Sequence, residues 1–241
     1  MKLILTVIAF CGSICMAGAV SLTQFTDQAD AFLAKYVSGG NVAYKKVQQD
    51  PAMINNLYTL IGEVDLSAAS DNEKKAFYIN AYNLIVIQQI TAYYPMKSAL
   101  DKNGFFDRQK HKVAGEMLTL DQIEKGKVIL KYRDPRVHFA FSCAARGCPP
   151  LANFAYRPER IDDQLERATG HSLKDFRFIR FDLDNRTVLL SKIFDWYERD
   201  FTAEGLTVVE YINQYRDKEI PRGFKIEYYA YDWSLNELTA P

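Results

Sequence analysis

Apolar positions recur at helical spacing through the first half of the chain and in short alternating runs through the second. In "SLTQFTDQADAFLAKYVSGG" (residues 21–40), Phe25, Phe32, Leu33 and Tyr36 lie at that spacing. A Ser or Thr start and a Gly-Gly stop bound the predicted first helix. "DPAMINNLYTLIGEV" opens on Asp50 and Pro51 and predicts a second, with Pro51 at its first position. The clearest element is "SDNEKKAFYINAYNLIVIQQITAYYP", where Ser70 or Asp71 can cap, Glu73 sits in the first turn and Pro95 follows the end. From Ala76 to Ile90 it is apolar nearly all round, which predicts a helix of about 72–93 buried in the middle of the fold.

Strands come later and are paired. "VAGEMLTL" reads as a short strand or hairpin, and "TLDQIEKGKVILKY" as a helix starting near Thr119 or Asp121. "RVHFAFS" alternates and is rich in Val and Phe, so it reads as a strand. "RPERIDDQLERATGHSLKDF" is amphipathic, and "RFIRFDLDNRTVLLS" is a hairpin turning at Asp184-Asn185. Helices follow in "SKIFDWYERDF" and "LTVVEYINQY", then a last strand in "FKIEYYAYDWSLN". The class is α+β: a mostly helical single domain over residues 20–241, its buried helix packed on a small mixed or antiparallel sheet.

Composition changes this picture little. The 241 residues are 48% hydrophobic and 25% charged, with Lys+Arg and Asp+Glu equal at 30 each. That balance removes the usual footprint of a nucleic-acid binder or of a protein drawn to an anionic surface. The N-terminus changes it more. "MKLILTVIAFCGSICMAGAV" has one Lys, an apolar run from Leu3 to Met16, then Ala17-Gly18-Ala19. This is the layout of a secretory signal cut after Ala19; the rival reading is a retained anchor, weakened by Gly12, Ser13 and Gly18. Cleavage would remove Cys11 and Cys15, leave no membrane span, and send Cys143 and Cys148 to an oxidising periplasmic or extracellular space.

These two cysteines carry the question of function. In "VHFAFSCAARGCPPL", Cys143 could be a nucleophile, half of a disulfide with Cys148, a metal ligand or a buried thiol. A nucleophile needs a base or cation nearby. Arg146 is close in sequence, and the turn at "AARGCPP" could aim backbone N–H groups, including those around Ala144, at an oxyanion. His138 is the nearest base, although five residues of straight strand would hold it roughly 16 Å away. Asn80 and Asn83 share one face of the buried helix and could line an oxyanion pocket or tie a loop to the helix. Glu124 could reach toward His138 or lie in solvent. His111 and His171 read as solvent-facing, and too few histidines are spaced for a metal site. No cofactor is expected.

Taken together, "AFYINAYNLIVI", "LTLDQIEKG", "DPRVHFAFSCAARGCPPL", "LSKIFDWYERDF" and "YDWSLN" resemble the domain of unknown function 547 family over roughly residues 74–236. The resemblance puts Asn80, Asn83, Glu124, His138 and Cys143 in motif positions. It implies a distinct role for Cys143, since relatives do not always keep Cys148. The chain departs from the family at Lys125, commonly a histidine. The resulting expectation is an exported cysteine-dependent hydrolase or acyltransferase on amide or peptide-like substrates. In it Cys143 attacks, His138 is base and acid, and Glu124 fixes the imidazole. Asn80, Asn83, Ala144 and Arg146 would serve the substrate or oxyanion. Two other classes remain: a non-enzymatic binding protein with a 143–148 disulfide stapling a loop over an aromatic cleft, and a weaker redox role for the pair.

Overall fold

A computed structural model describes residues 20–238; the expected signal segment, with Cys11 and Cys15, lies outside them. Helices α1 (Leu22–Tyr36), α2 (Tyr44–Gln49), α3 (Ala52–Glu63) and α4 (Asp71–Tyr93) build the first half, with strands β1 (Val37–Ser38) and β2 (Asn41–Val42) turning between α1 and α2. A hairpin of β3 (His111–Val113) and β4 (Glu116–Leu118) leads into a π-helical segment, Gln122–Ile129, and a last turn α5 (Leu130–Tyr132). A 3-10 turn, Pro135–Phe139, precedes the cysteine loop. Then come α6 (Ile161–Lys174), β5 (Ile179–Asp182), β6 (Thr187–Leu190), α7 (Ile193–Trp196), α8 (Glu198–Phe201), α9 (Val208–Asn213) and β7 (Lys225–Tyr228). The α+β class stands, and the three-stranded sheet is mixed: β5 pairs antiparallel and β7 parallel to β6.

Helix α4 begins as its sequence predicts. The Ser70 hydroxyl accepts from Glu73 N–H, and Glu73 Oε2 accepts from Ser70 N–H at 2.8 Å, a reciprocal capping box. From Lys75 to Thr91 every residue except Gln88 is buried. Its main neighbours are α1, α2, α3 and the π-helical segment, so the helix is sheathed by other helices and does not lie on the sheet as expected. A helix apolar on all sides satisfies itself as well against helices as against strands, and the pattern does not choose between them. The sheet belongs to a second apolar cluster, around Phe139, Phe178, Phe194 and Phe201.

The segment between the two clusters departs from expectation. Residues 137–142 form the end of a 3-10 turn and a loop, not a strand. Pro135 fixes the first turn, and Asp134 Oδ1 accepts from Arg136 N–H at 3.1 Å. All six residues from Val137 to Ser142 are buried, Phe139 toward the second cluster and Val137, Ala140 and Phe141 toward the first. Alternating side chains thus report two cores flanking one turn, not the two faces of a strand.

His111 is a second departure: it is buried, with Nδ1 2.8 Å from the Tyr58 hydroxyl. The β3–β4 hairpin docks on α3 through Ala114 N–H to Ile61 O (2.8 Å) and Gly115 N–H to Gly62 O (3.2 Å), which carries His111 inside. His171, on α6, is exposed as expected.

The C-terminal tail ties these parts together. Asn236 O accepts from Val42 N–H at 2.8 Å, and Asn236 N–H donates to Ala144 O at 3.0 Å. Arg146 N–H donates to Ser234 O at 2.8 Å, and the Tyr44 hydroxyl donates to Asn236 Oδ1 at 2.8 Å. The tail therefore stitches the cysteine loop to the N-terminal helices. Among the described residues no helix is long and apolar enough to cross a membrane.

Candidate functional site

The strand-breaking turn brings His138 and Cys143 to one pocket of about 280 Å³. Glu124 from the π-helical segment, Phe141, and Trp196 and Tyr197 at the end of α7 share its walls, as do Tyr231 and Trp233 from the tail. The pocket is apolar in the main and carries a few convergent polar groups, the usual make-up of a small-molecule site.

Cys143 and Cys148 are joined in a disulfide, with Cα atoms 6.2 Å apart. The open choice among nucleophile, disulfide, ligand and free thiol resolves to the disulfide in this state, so Cys143 has no thiol to act as a nucleophile. Cys143 is half-buried and Cys148 buried, and both line the pocket. Cys143 N–H donates to Cys148 Sγ at 2.9 Å. The Tyr231 hydroxyl lies 3.2 Å from Cys148 Sγ and 3.3 Å from Cys143 Sγ.

Several backbone N–H groups of the turn are engaged elsewhere. Gly147 N–H donates to Asp232 O (2.9 Å) and Cys148 N–H to Ala145 O (3.1 Å). With the Cys143 and Arg146 donors already described, four N–H groups of the turn have acceptors inside the protein. Ala144 is buried in the left-handed region (φ 62°), its carbonyl taken by Asn236. The Arg146 side chain is exposed and lines a neighbouring cleft with Arg177, Arg180 and Asp232.

Asn80 and Asn83 take the structural alternative. Asn80 Nδ2 donates to Tyr156 O and its Oδ1 accepts from Tyr156 N–H, both at 2.8 Å. Asn83 Nδ2 donates to Ala140 O, and its Oδ1 accepts from Ser142 N–H, both at 2.9 Å. Neither lines the pocket. Both clamp buried loop backbone that would otherwise lack partners.

His138 is held differently from the expectation too. Its Nε2 lies 2.8 Å from Asp200 Oδ2, and its ring lies 4.1 Å from that of Tyr197. Asp200, not Glu124, orients the imidazole. Glu124 instead accepts from the Tyr197 hydroxyl at 3.0 Å. Burial pushes its carboxyl above the ordinary value, with the Tyr197 hydrogen bond and the nearby His138 pulling partly back. Burial and the Glu124 charge both raise Tyr82 and Tyr197, which remain protonated donors beside it. Lys125 points outward and pairs with Asp121 at 2.8 Å. Among the described residues, no three His, Cys, Asp or Glu side chains converge as a metal site.

Residues 66–171 match the family described as "Protein of unknown function, DUF547". Over these residues the chain carries a DUF547 segment. The matched segment holds α4, the π-helical segment with Glu124, the turn with His138, and the cysteine loop. The segments that supply Trp196, Asp200, Tyr231 and Trp233 lie beyond it. No curated protein and no solved structure matches the chain.

Asp200 and the Trp196–Tyr231–Trp233 ring group join the site without forming a motif in the sequence. A signal existed in the density of aromatic and acidic residues in "IFDWYERDF" and "YAYDWSLN". Their rings pack at 4.8 Å (Trp196–Tyr231 and Tyr231–Trp233), and the first of these contacts crosses more than thirty residues of chain.

Proposed function

We propose that this protein is an exported ligand-binding protein whose pocket takes a small organic or peptide-like molecule. The ligand would have a flat apolar body and one hydrogen-bonding or cationic group directed at Glu124. The observation that carries this reading is the wall of the pocket. Aromatic rings line it, one carboxyl faces it, and its cysteine is closed in a disulfide. Aromatic faces beside a carboxyl favour a cationic or donor-bearing group. Export is supported by the N-terminal layout of the sequence and by the disulfide, which persists in oxidising compartments.

Two measurements test this. Alkylation of native protein without reductant should label neither Cys143 nor Cys148. Titration with aromatic amines, followed by tryptophan fluorescence, should saturate; Glu124→Gln should weaken cationic members about tenfold while sparing neutral ones, roughly the weight of one charge-assisted contact. Saturation by none of a broad panel sinks the binding reading.

A second reading is a cysteine-dependent hydrolase or acyltransferase, favoured by the shared pocket of Cys143 and the His138–Asp200 pair. It requires prior reduction of the disulfide. Thiolate labelling of Cys143 in unreduced protein would put it first.

A further inference from the structure

The disulfide is asymmetric in what surrounds its two sulfurs. Cys148 Sγ has two hydrogen-bond donors, Cys143 N–H at 2.9 Å and the Tyr231 hydroxyl at 3.2 Å. Cys143 Sγ has the Tyr231 hydroxyl alone, at 3.3 Å. A disulfide sulfur accepts hydrogen bonds weakly, whereas a thiolate accepts them strongly. The donors at Cys148 therefore do little for the closed bond and much for the anion that forms when it breaks. Leaving-group stability sets which sulfur departs in thiol–disulfide exchange.

We propose that the Cys143–Cys148 disulfide is exchange-active, with Cys143 Sγ the attacked sulfur and Cys148 the leaving thiolate. The proposal rests on the binding reading only in needing the pocket open to a small molecule. The co-reactant is a low-molecular-weight thiol. Its thiolate forms a new S–S bond to Cys143 while the Cys143–Cys148 bond breaks, and the electron pair goes to Cys148 Sγ. A second thiol then attacks the sulfur of the bound molecule and releases Cys143. Overall two thiols are oxidised to one disulfide, and the protein disulfide is reduced to two thiols that take up the two protons.

Three features of the fold serve this step. Cys143 is the more exposed of the pair, so the pocket delivers the incoming thiolate to it. Tyr231 is held against the sulfurs by Trp196 and Trp233, each with its ring centre 4.8 Å away. Gly147 lets that ring lie directly on the loop, because a Cβ there would come within 3.0 Å of the ring atoms. Burial raises the Tyr231 hydroxyl, which keeps it a neutral donor. Attack at Cys148 would place the charge on Cys143 Sγ, which lacks the backbone donor.

The test uses the full, oxidised chain and glutathione. After acid quenching and alkylation, mass spectrometry should find the mixed disulfide on Cys143, with a free thiol on Cys148. Tyr231→Phe should slow its formation about tenfold, the loss of one hydrogen bond to a charged group, at unchanged melting temperature. Cys148→Ser, treated with oxidised glutathione, should hold a stable adduct on Cys143. An adduct on Cys148, an unchanged rate in Tyr231→Phe, or a disulfide reduced only after denaturation overturns the proposal. A resistant disulfide in a protein that still saturates with an aromatic amine overturns exchange and leaves binding standing; exchange without saturation does the reverse.

Discussion

Asn80 and Asn83 stand one helical turn apart on α4, and each closes both ends of its amide on a different loop backbone. Asn83→Ala leaves the Ala140 carbonyl and the Ser142 N–H buried without partners. Each such group costs roughly 1–3 kcal/mol, so the variant should lose about 2–6 kcal/mol in urea denaturation. An Asn83→Ala protein of unchanged stability but lost ligand binding would return Asn83 to the pocket.

Glu124 gives a pH signature. Its carboxyl is raised above 4.5 chiefly by burial. Between pH 4.5 and the folded value, the native state therefore holds a proton that the unfolded chain has released. The stability this contributes is fully present below pH 4.5 and is lost as pH rises through the folded value. Glu124→Gln removes the linkage, so the variant should gain on the wild type as pH rises above 4.5. Parallel stability curves would mean that Glu124 is as free in the native pocket as in the unfolded chain.

His111 acts in the opposite sense. Burial lowers it from 6.5 to about 4. The unfolded chain binds its proton first, so the stability from the neutral buried imidazole is fully present above pH 6.5 and lost as pH falls toward 4. The loss is on the order of 2 kcal/mol after screening. His111→Phe should flatten the stability profile in that window, measured by thermal unfolding at half-unit steps.

Gly147→Ala tests the contact between the cysteine loop and Tyr231. The added methyl meets the ring at 3.0 Å, and the overpacking should cost about 1–3 kcal/mol. The displaced ring should also change tryptophan emission, since Trp196 and Trp233 pack on it. An unshifted spectrum and melting temperature would mean that the loop and ring separate at little cost.

The disulfide itself closes a short loop, and Cys143→Ser with Cys148→Ser should cost about 2 kcal/mol in the chain-entropy view. The loop keeps its backbone bonds to Ser234 and Asp232, so the double variant should remain folded, with native circular dichroism.

Local rules were sufficient where the determinant was local. The capping box of α4, the buried run from Ala76 to Ile90 and the hairpin of residues 179–190 follow from neighbours within four positions, and each was legible. Helix α2 and the β1–β2 turn were not, because six residues with weak periodicity leave little to read. The 3-10 turn at His138 reads as a strand because its alternation comes from two cores on either side, a tertiary fact.

The α+β class, the central buried helix, the family motifs and the pairing options of two cysteines are written in local sequence. Tertiary structure decided which option held and what surrounds it. Asp200 reaches His138 across 62 residues and Tyr231 reaches Cys143 across 88, separations at which no local periodicity carries information. Only chain closure through the C-terminal tail places those groups together. For the same reason Asn80 and Asn83, which share a helical face with a pocket nearby, became backbone clamps: buried N–H and C=O groups of the passing loops required partners, and the amides were the groups within reach.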